Sequence, residues 1–410
     1  MKHRVLVMSH GHPDFSLGGA EMAAYQFFKA CKNHNSVEAC TFLAAHGQNA
    51  TGAMRLRRDG EYLWEQTTHG SFQFQGANRP ATLTGFRNLI EYLRPTVVFM
   101  HHYTSLGLEC LRILREVVGD IKIIVTLHEM LAICNNNGQM VKTASLQLCS
   151  RESPEECNRC FPQITTEGFW LRKQFIQSYF DLVDHFVTPS EFLRNRYIEW
   201  GIDTDRISVI ENGQAVAEKL PPRLLRGKDT RSRFGFFGQI NPYKGIDVLL
   251  EAALVLPESI RSKIIIEING ANLEQQDPNF QKLVNSLYLP LREQGVVQLM
   301  GPYQRNDLPR RMSRIDWLLV PSIWWENSPM VIQESFTLGR PVVCSNIGGM
   351  AEKVQHGVDG WHVEARSARE WAEMLEYLSK ENSLWQRLYD GIKAPLSYID
   401  CVNLHLELID

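Results

Sequence analysis

Short apolar runs alternate with longer amphipathic ones along most of this chain, and that alternation limits the fold more than any other feature. A helical pattern over 83–93 leads to a strand-like run over 96–100. Helix 105–118 leads to strand 122–126, and helix 169–182 to strand 185–188. Strand followed by helix, repeated, predicts a parallel sheet with helices on both faces. The pattern opens with strand 4–9, helix 22–31 and strand 37–45, and closes at 207–210. It restarts with strand 233–237, helix 246–255 and strand 263–269, followed by strands 296–300, 317–320 and 341–345. At 410 residues the chain is too long for one ordinary core. The expectation is two α/β doubly wound domains facing each other across a cleft. They span 1–220 and 233–394, with a linker over 221–232 and residues 395–410 as a C-terminal helix packing back on the first half. The polar stretch 47–81, with Tyr62, Trp64, Phe72 and Phe74 scattered in it, reads as irregular.

Ligands of open parallel sheets bind beyond the carboxyl ends of the strands. The most informative segment there is Trp324-Trp-Glu-Asn-Ser-Pro-Met-Val-Ile-Gln-Glu334, directly after an apolar run. Ser328 reads as a helix N-cap and Pro329 as the first helical residue. Met330 and Val331 continue a helix that stops at Gly339 and Pro341. The free N–H groups and positive dipole end of such a helix seat an anion. Glu326 in the loop and Glu334 on the second turn then flank it with two hydroxyl acceptors. A sugar nucleotide, hydroxylated at both ends with phosphate in the middle, has that form. An isolated pair of glutamates is ordinarily solvated; the neighbours reverse that reading.

Gly238-Gln-Ile-Asn-Pro-Tyr-Lys-Gly245 ends the first strand of the second half. Its glycine permits close approach to a phosphate, and Lys244 supplies a point cation. Gly18-Gly-Ala-Glu21 makes a similar but weaker turn in the first half, since Gly-Gly also forms plain turns. His101, His102 and His128 all follow strands, and His128 is the one expected to act. Cys134, Cys149, Cys157 and Cys160 fall in an insert over 131–161, where one Cys-x-x-Cys pair and two further cysteines could clamp a structural zinc. The other five of nine cysteines read as reduced core thiols. Asp203-Thr-Asp205, a potential metal motif, lies in a turn and reads as solvated loop.

A net charge of −3 recruits no nucleic acid by bulk attraction. No apolar run approaches the roughly 20 residues a membrane helix needs. The opening Met1-Lys-His-Arg-Val-Leu-Val-Met8 enters a strand without an apolar leader, so the cytoplasm is the expected setting. The aromatic and basic segment 169–180, with Phe169 and Trp170, could rest on the inner face of a membrane, although packing inside the first domain is favoured.

The chain resembles the retaining GT-B glycosyltransferases of family 4. The resemblance rests on Gly18-Gly-Ala-Glu21, Thr126-Leu-His128, Asn212-Gly213 and Gly238 to Gly245, and above all on Glu326-x7-Glu334 followed by Ser345 to Glu352. It implies two Rossmann-like domains, the second gripping a nucleotide-sugar donor and the first receiving the acceptor. Carried over, Glu326 would hold donor-sugar hydroxyls, Glu334 the ribose, and Lys244 the diphosphate. Gly238, Gln239, Ser328, Met330 and Val331 would line the donor seat. Gly18 and Gly19 would approach the reacting region, with His128 near the sugar. The implied activity is metal-independent transfer with retention from a uridine diphosphate sugar such as UDP-glucose. The acceptor would be saccharide or lipid-linked, the product a polysaccharide or glycoconjugate, and no cofactor would be required. One departure stands out: Gln239 occupies a position where the family usually has a phosphate-binding arginine, so Lys244, the helix dipole, or Arg194 or Arg196 would have to compensate. That departure favours a non-catalytic sugar-nucleotide-binding subunit as the alternative. A phosphorylase-like enzyme would need a lysine carrying pyridoxal phosphate. A dehydrogenase would need a Gly-x-Gly-x-x-Gly turn that no strand here supplies.

Overall fold

The computed structural model describes residues 2–409 except 17, 48, 49, 71 and 78; Asp410, where the expected tail helix ends, lies outside them. The chain divides into one unit of Met1–Gly213 with Leu396–Asp410 and another of Gln214–Pro395.

The first unit is built on an eight-stranded sheet. Its strands are β1 (His3–Ser9), β2 (Val37–Ala45), β3 (Met54–Arg58), β4 (Glu61–Trp64), β5 (Val97–Met100), β6 (Lys122–Thr126), β7 (His185–Thr188) and β8 (Ile207–Val209). They lie in the order β3-β4-β2-β1-β5-β6-β7-β8. All neighbours run parallel except β3 and β4. β5, Val-Val-Phe-Met, is buried throughout, as a strand covered on both faces must be. One face packs on the helix Gly19–Lys32 and the tail helix Tyr398–Leu406, where Phe27, Phe28, Phe42, Phe99, Val402 and Leu406 share a core.

Stretch 47–81 is irregular only in part, because it contains the β3–β4 hairpin over residues 54–64. Asp59-Gly60 turns it, with Gly60 at φ +75°. An Asp-Gly pair between two runs is a strong hairpin signal. It was masked because β3 exposes Arg55, Leu56, Arg57 and Arg58 and shows no apolar alternation. The helix expected over 105–118 is shorter, Glu109–Val117, since Ser105 has a left-handed backbone (φ +64°). The insert over 131–161 is held by buried Arg172, whose guanidinium donates to the carbonyls of Ala132 (2.5 Å) and Leu131 (2.6 Å).

The second unit has β9 (Arg233–Gln239), β10 (Ile265–Ala271), β11 (Val297–Leu299), β12 (Trp317–Val320), β13 (Val342–Ser345) and β14 (Gly360–Val363). The sheet is wholly parallel, in the order β11-β10-β9-β12-β13-β14. That is the dinucleotide-fold order, reversing direction between its first and fourth strands, here β9 and β12. Residues 221–232, expected as a free linker, belong to this unit. Asp316, fully buried at the foot of β12, accepts Arg223 at 2.8 Å and Arg231 at 3.0 Å. A buried carboxylate needs such partners, and they fasten the segment down.

Candidate functional site

Every donor-side residue of the second unit gathers where β9 and β12 end, the switch point of the sheet. Gly238 has φ +149° and Gly245 φ +68°, conformations that side chains resist. A Cβ on Gly245 would also stand 1.9 Å from the Pro321 carbonyl oxygen, so only glycine fits that approach. Between them the chain turns on Asn241, whose Oδ1 accepts the Tyr243 N–H at 3.0 Å. The Ile323 N–H donates to the Tyr243 carbonyl at 2.9 Å, stitching the two strand-end loops together.

That stitching brings Lys244 onto Glu326. The ammonium donates to Glu326 Oε1 at 2.5 Å, and the same oxygen accepts Ser322 Oγ at 2.8 Å and Trp324 Nε1 at 2.9 Å. Burial would raise the Glu326 carboxyl, but Lys244 above all, then the two neutral donors, hold it below its usual range. Lys244 also lies 5.7 Å from the Trp324 ring centroid. Gly348 and Gly349 have a packing role: the Gly349 N–H donates to the Glu326 carbonyl at 2.6 Å, and a Cβ there would fall 1.6 Å from the Asn327 carbonyl oxygen.

The following helix is Met330–Thr337, with Pro329 at its cap position and no side-chain cap. Ser328 is therefore not the N-cap; its hydroxyl accepts Gln333 Nε2 at 3.1 Å, one turn inside. The reading failed because Pro329 sits one residue earlier than its usual first helical place. The N–H groups of Met330 and Val331 still open the helix without intrahelical acceptors. Glu334, half-buried on the second turn, has its carboxyl pushed up to about 7 by burial, opposed by the charge of Arg305. Tyr303 and Arg305, past β11, thus face Glu334, and the sequence reading missed both. Their place after a strand of a parallel sheet was the available signal.

In the first unit, β1, β5 and β6 end in histidines. A Cβ on Gly18 would overlap the Glu21 carboxylate at 2.0 Å, so Gly18 makes room for Glu21 to fold back. Glu21 takes Ser16 Oγ at 2.6 Å and His10 Nε2 at 3.2 Å. Burial opposes its ionisation, yet His10 and Ser16 hold the carboxyl down to about 2. Gly19 is the first residue of the helix. His128 Nε2 lies 3.2 Å from His101 Nδ1, and burial pushes His128 down to about 3, leaving it neutral. His102 Nδ1 accepts the Thr104 N–H at 3.0 Å, so its Nε2 carries the proton and donates to Glu129 Oε1 at 3.2 Å. Glu129 and His10 were not singled out from sequence, although both follow strand ends just as His128 does.

Arg194 and Arg196 are already engaged in the first unit, Arg194 on the Ile207 carbonyl at 3.0 Å and Arg196 on the Ser150 carbonyl. Asp203 and Asp205 are exposed. Cys134, Cys149, Cys157 and Cys160 are half-buried thiols, and Cys149 Sγ donates to the Arg151 carbonyl at 3.2 Å. Among the described residues no group of three or more His, Cys, Asp or Glu side chains is set to hold a metal ion. Burial, with the Glu152 charge, pushes the Cys157 thiol up to about 12. Phe169 is core, whereas Trp170 and Leu171 are 53% and 55% exposed. No helix among the described residues is long and apolar enough to cross a membrane.

Residues 17–216 match the family model described as Glycosyltransferase Family 4, and 224–393 that described as Glycosyl transferases group 1. A D-inositol 3-phosphate glycosyltransferase from Mycobacterium sp. (strain KMS) is 29% identical over 215 residues, covering 51% of this chain and 47% of that protein. The Rhodococcus jostii (strain RHA1) protein of the same name is 31% identical over 193 residues, 44% of this chain and 41% of its own. The match thus spans about half the length of these relatives. Among solved structures, Anabaena HepE in complex with UDP and glucose has a TM-score of 0.65 at 16% identity, covering 99% of both chains. Sucrose-phosphate synthase from Thermosynechococcus elongatus has a TM-score of 0.70 at 12% identity, covering 99% and 98%. At those identities the likeness is one of fold.

Proposed function

The chain belongs to the family 4 glycosyltransferases of GT-B fold, and from that premise we propose that it transfers a sugar, with retention and without a metal ion, from a UDP-sugar such as UDP-glucose to a saccharide or lipid-linked acceptor, in polysaccharide or glycoconjugate synthesis. The observation that carries this reading is the convergence of Lys244, Glu326, the helix start at Met330 and Glu334 at the β9–β12 switch point. In this reading the N–H groups of Met330 and Val331, with Lys244, receive the diphosphate. The leaving group's developing charge is what such donors stabilise. Glu334 accepts the ribose hydroxyls. Glu326, with Oε1 already holding three donors, offers its second oxygen to the transferred sugar. His128, kept neutral by burial, is a hydrogen-bonding group of the first unit and not an acid. The acceptor hydroxyl attacks on the face the diphosphate leaves, and its proton passes to the departing phosphate. The likeness to a UDP- and glucose-bound fold and to sugar transferases supports the choice of donor.

The test is a stability screen across UDP-, GDP- and ADP-sugars, then turnover read as released nucleoside diphosphate in the presence of chelator. Retention is read from the anomeric configuration of the product by NMR. Stabilisation by no nucleotide-sugar would end the proposal, and turnover abolished by chelator would end its metal-independent part. A binding subunit without turnover is the second reading. It is favoured by Gln239 and by the neutralisation of Lys244 on Glu326. Stabilisation by a UDP-sugar without diphosphate release under any acceptor would select it.

A further inference from the structure

One assembly in the first unit has no part in the donor chemistry above. The loop after β1 displays Phe15, 52% exposed, and a lone exposed apolar side chain is ordinary. What sets this one apart is how its loop is held. His12, almost fully buried, accepts the Asp14 N–H on Nδ1 at 3.1 Å, so Nε2 carries the proton and donates to Glu61 Oε2 at 3.2 Å. The other Glu61 oxygen accepts the Tyr25 hydroxyl at 3.0 Å, and Arg58 donates to Oε2 at 3.0 Å. Asp14 receives Arg58 at 2.6 Å and Arg57 at 3.1 Å from strand β3. The N–H groups of Phe15 and Ser16 both donate to the His12 carbonyl, at 2.9 and 3.0 Å. A network of four charged groups, with Glu61 buried and Asp14, Arg57 and Arg58 exposed, therefore ties down a loop whose tip is an aromatic ring facing outward. Preorganisation of this kind lowers the ordering cost of binding.

The ring has company. His46, the residue after β2, lies with its ring centroid 4.3 Å from that of Phe15, tilted 39°, and the Arg57 guanidinium is 5.4 Å from the Phe15 centroid. Both loops leave the carboxyl ends of β1 and β2, where ligands of such sheets bind. A half-exposed aromatic ring with an imidazole packed against it and a guanidinium over it matches a pyranose, its C–H face on the open part of the ring and its hydroxyls on the two polar neighbours. The local charge selects against a phosphate or an anionic lipid. Burial opposes ionisation of Asp14 and Glu61, but the arginines hold both carboxyls below their usual range. Two carboxylates thus cancel Arg57 and Arg58.

We infer that Phe15, His46 and Arg57 form the platform on which a neutral pyranose ring of the acceptor lies. The inference rests on the glycosyl-transfer reading and names its acceptor class. The test uses the full chain and methyl α- and β-glycosides of glucose, galactose and mannose, with binding read by saturation-transfer NMR and transfer read with UDP-glucose. Phe15→Ala should weaken glycoside binding and raise the acceptor KM about tenfold, the scale of one lost aromatic contact. Phe15→Trp should restore both, and His46→Ala should weaken binding in the same direction. UDP affinity, which reads Lys244 and Glu334, should stay at the wild-type value. Phe15→Ala binding glycosides like wild type overturns the platform. So does a wild type that binds UDP but none of these glycosides at roughly 10 mM. Failure of the wild type to bind any UDP-sugar instead overturns the glycosyl-transfer reading itself.

Discussion

Burial places the Glu334 carboxyl at about 7, so it titrates across neutral pH. In the proposed reading ribose hydroxyls donate to the ionised form, so ligand binding should weaken as pH falls through 7. Uridine is the cleanest probe, because it has no phosphate to titrate. If only the carboxylate binds, uridine affinity should be about tenfold lower at pH 6 than at pH 8. Glu334→Gln should flatten that slope; an undiminished slope in the variant would remove Glu334 from the ribose. Lys244 and Glu326 need a paired test, because each is the other's partner. Lys244→Ala leaves a buried carboxylate unpaired, so lost stability could pass for lost binding. In the Lys244→Ala/Glu326→Gln double variant the orphan is gone. Stability should then recover while UDP binding stays weaker by roughly 2–5 kcal/mol. Glu326→Gln alone should leave UDP affinity at or above wild type while lowering sugar transfer. UDP affinity returning to wild type in the double variant, measured by calorimetric titration, would show that Lys244 serves only to hold Glu326.

At the scale of elements, the strands and helices that carry the second unit's site were legible because each is strongly patterned. β12 is a solid apolar run and the helix after it has glycine and proline stops. What stayed hidden depends on contacts distant in sequence. Asp316 fastens 221–232 through arginines that look like linker residues, and Gly349 is a glycine because Asn327 passes over it. The β3–β4 hairpin hid for the opposite reason, since an edge strand of exposed arginines carries no apolar signal. The helix Thr166–Phe180 shows the same limit. Its aromatic content pointed to a membrane face or to the core, and the structure divides it, with Phe169 buried and Trp170 and Leu171 outward. Among the exposed residues of that helix, this outward pair is the apolar part that a bilayer would meet. Co-sedimentation with anionic vesicles at low salt should fall in a Trp170→Ser/Leu171→Ser variant if the helix rests on lipid. Wild type remaining in the supernatant under those conditions rules the contact out.

For the whole molecule, the chain crosses from the first unit to the second near Gly213 and returns near Leu396, so the final helix belongs to the sheet the chain began with. Cys401, Val402, His405 and Leu406 are buried there, and His34 Nε2 lies 2.9 Å from Asn403 Oδ1. From sequence the tail was expected as a helix packing back on the first half, but the residues it covers there were not legible, because Phe27, Phe28 and Phe99 stand hundreds of positions away. The energetic consequence separates the units. In the proposed reading UDP raises the unfolding temperature of the second unit, as mass action requires, and so labels that unit's transition in a calorimetric scan. Leu406→Ala removes a buried side chain from the first unit's core and should cost about 2–5 kcal/mol. The transition that UDP leaves unmoved should therefore drop by several degrees, while the UDP-sensitive one keeps its midpoint. If Leu406→Ala lowers only the UDP-sensitive transition, the tail's stability is tied to the second unit, and its place in the first unit's core is wrong.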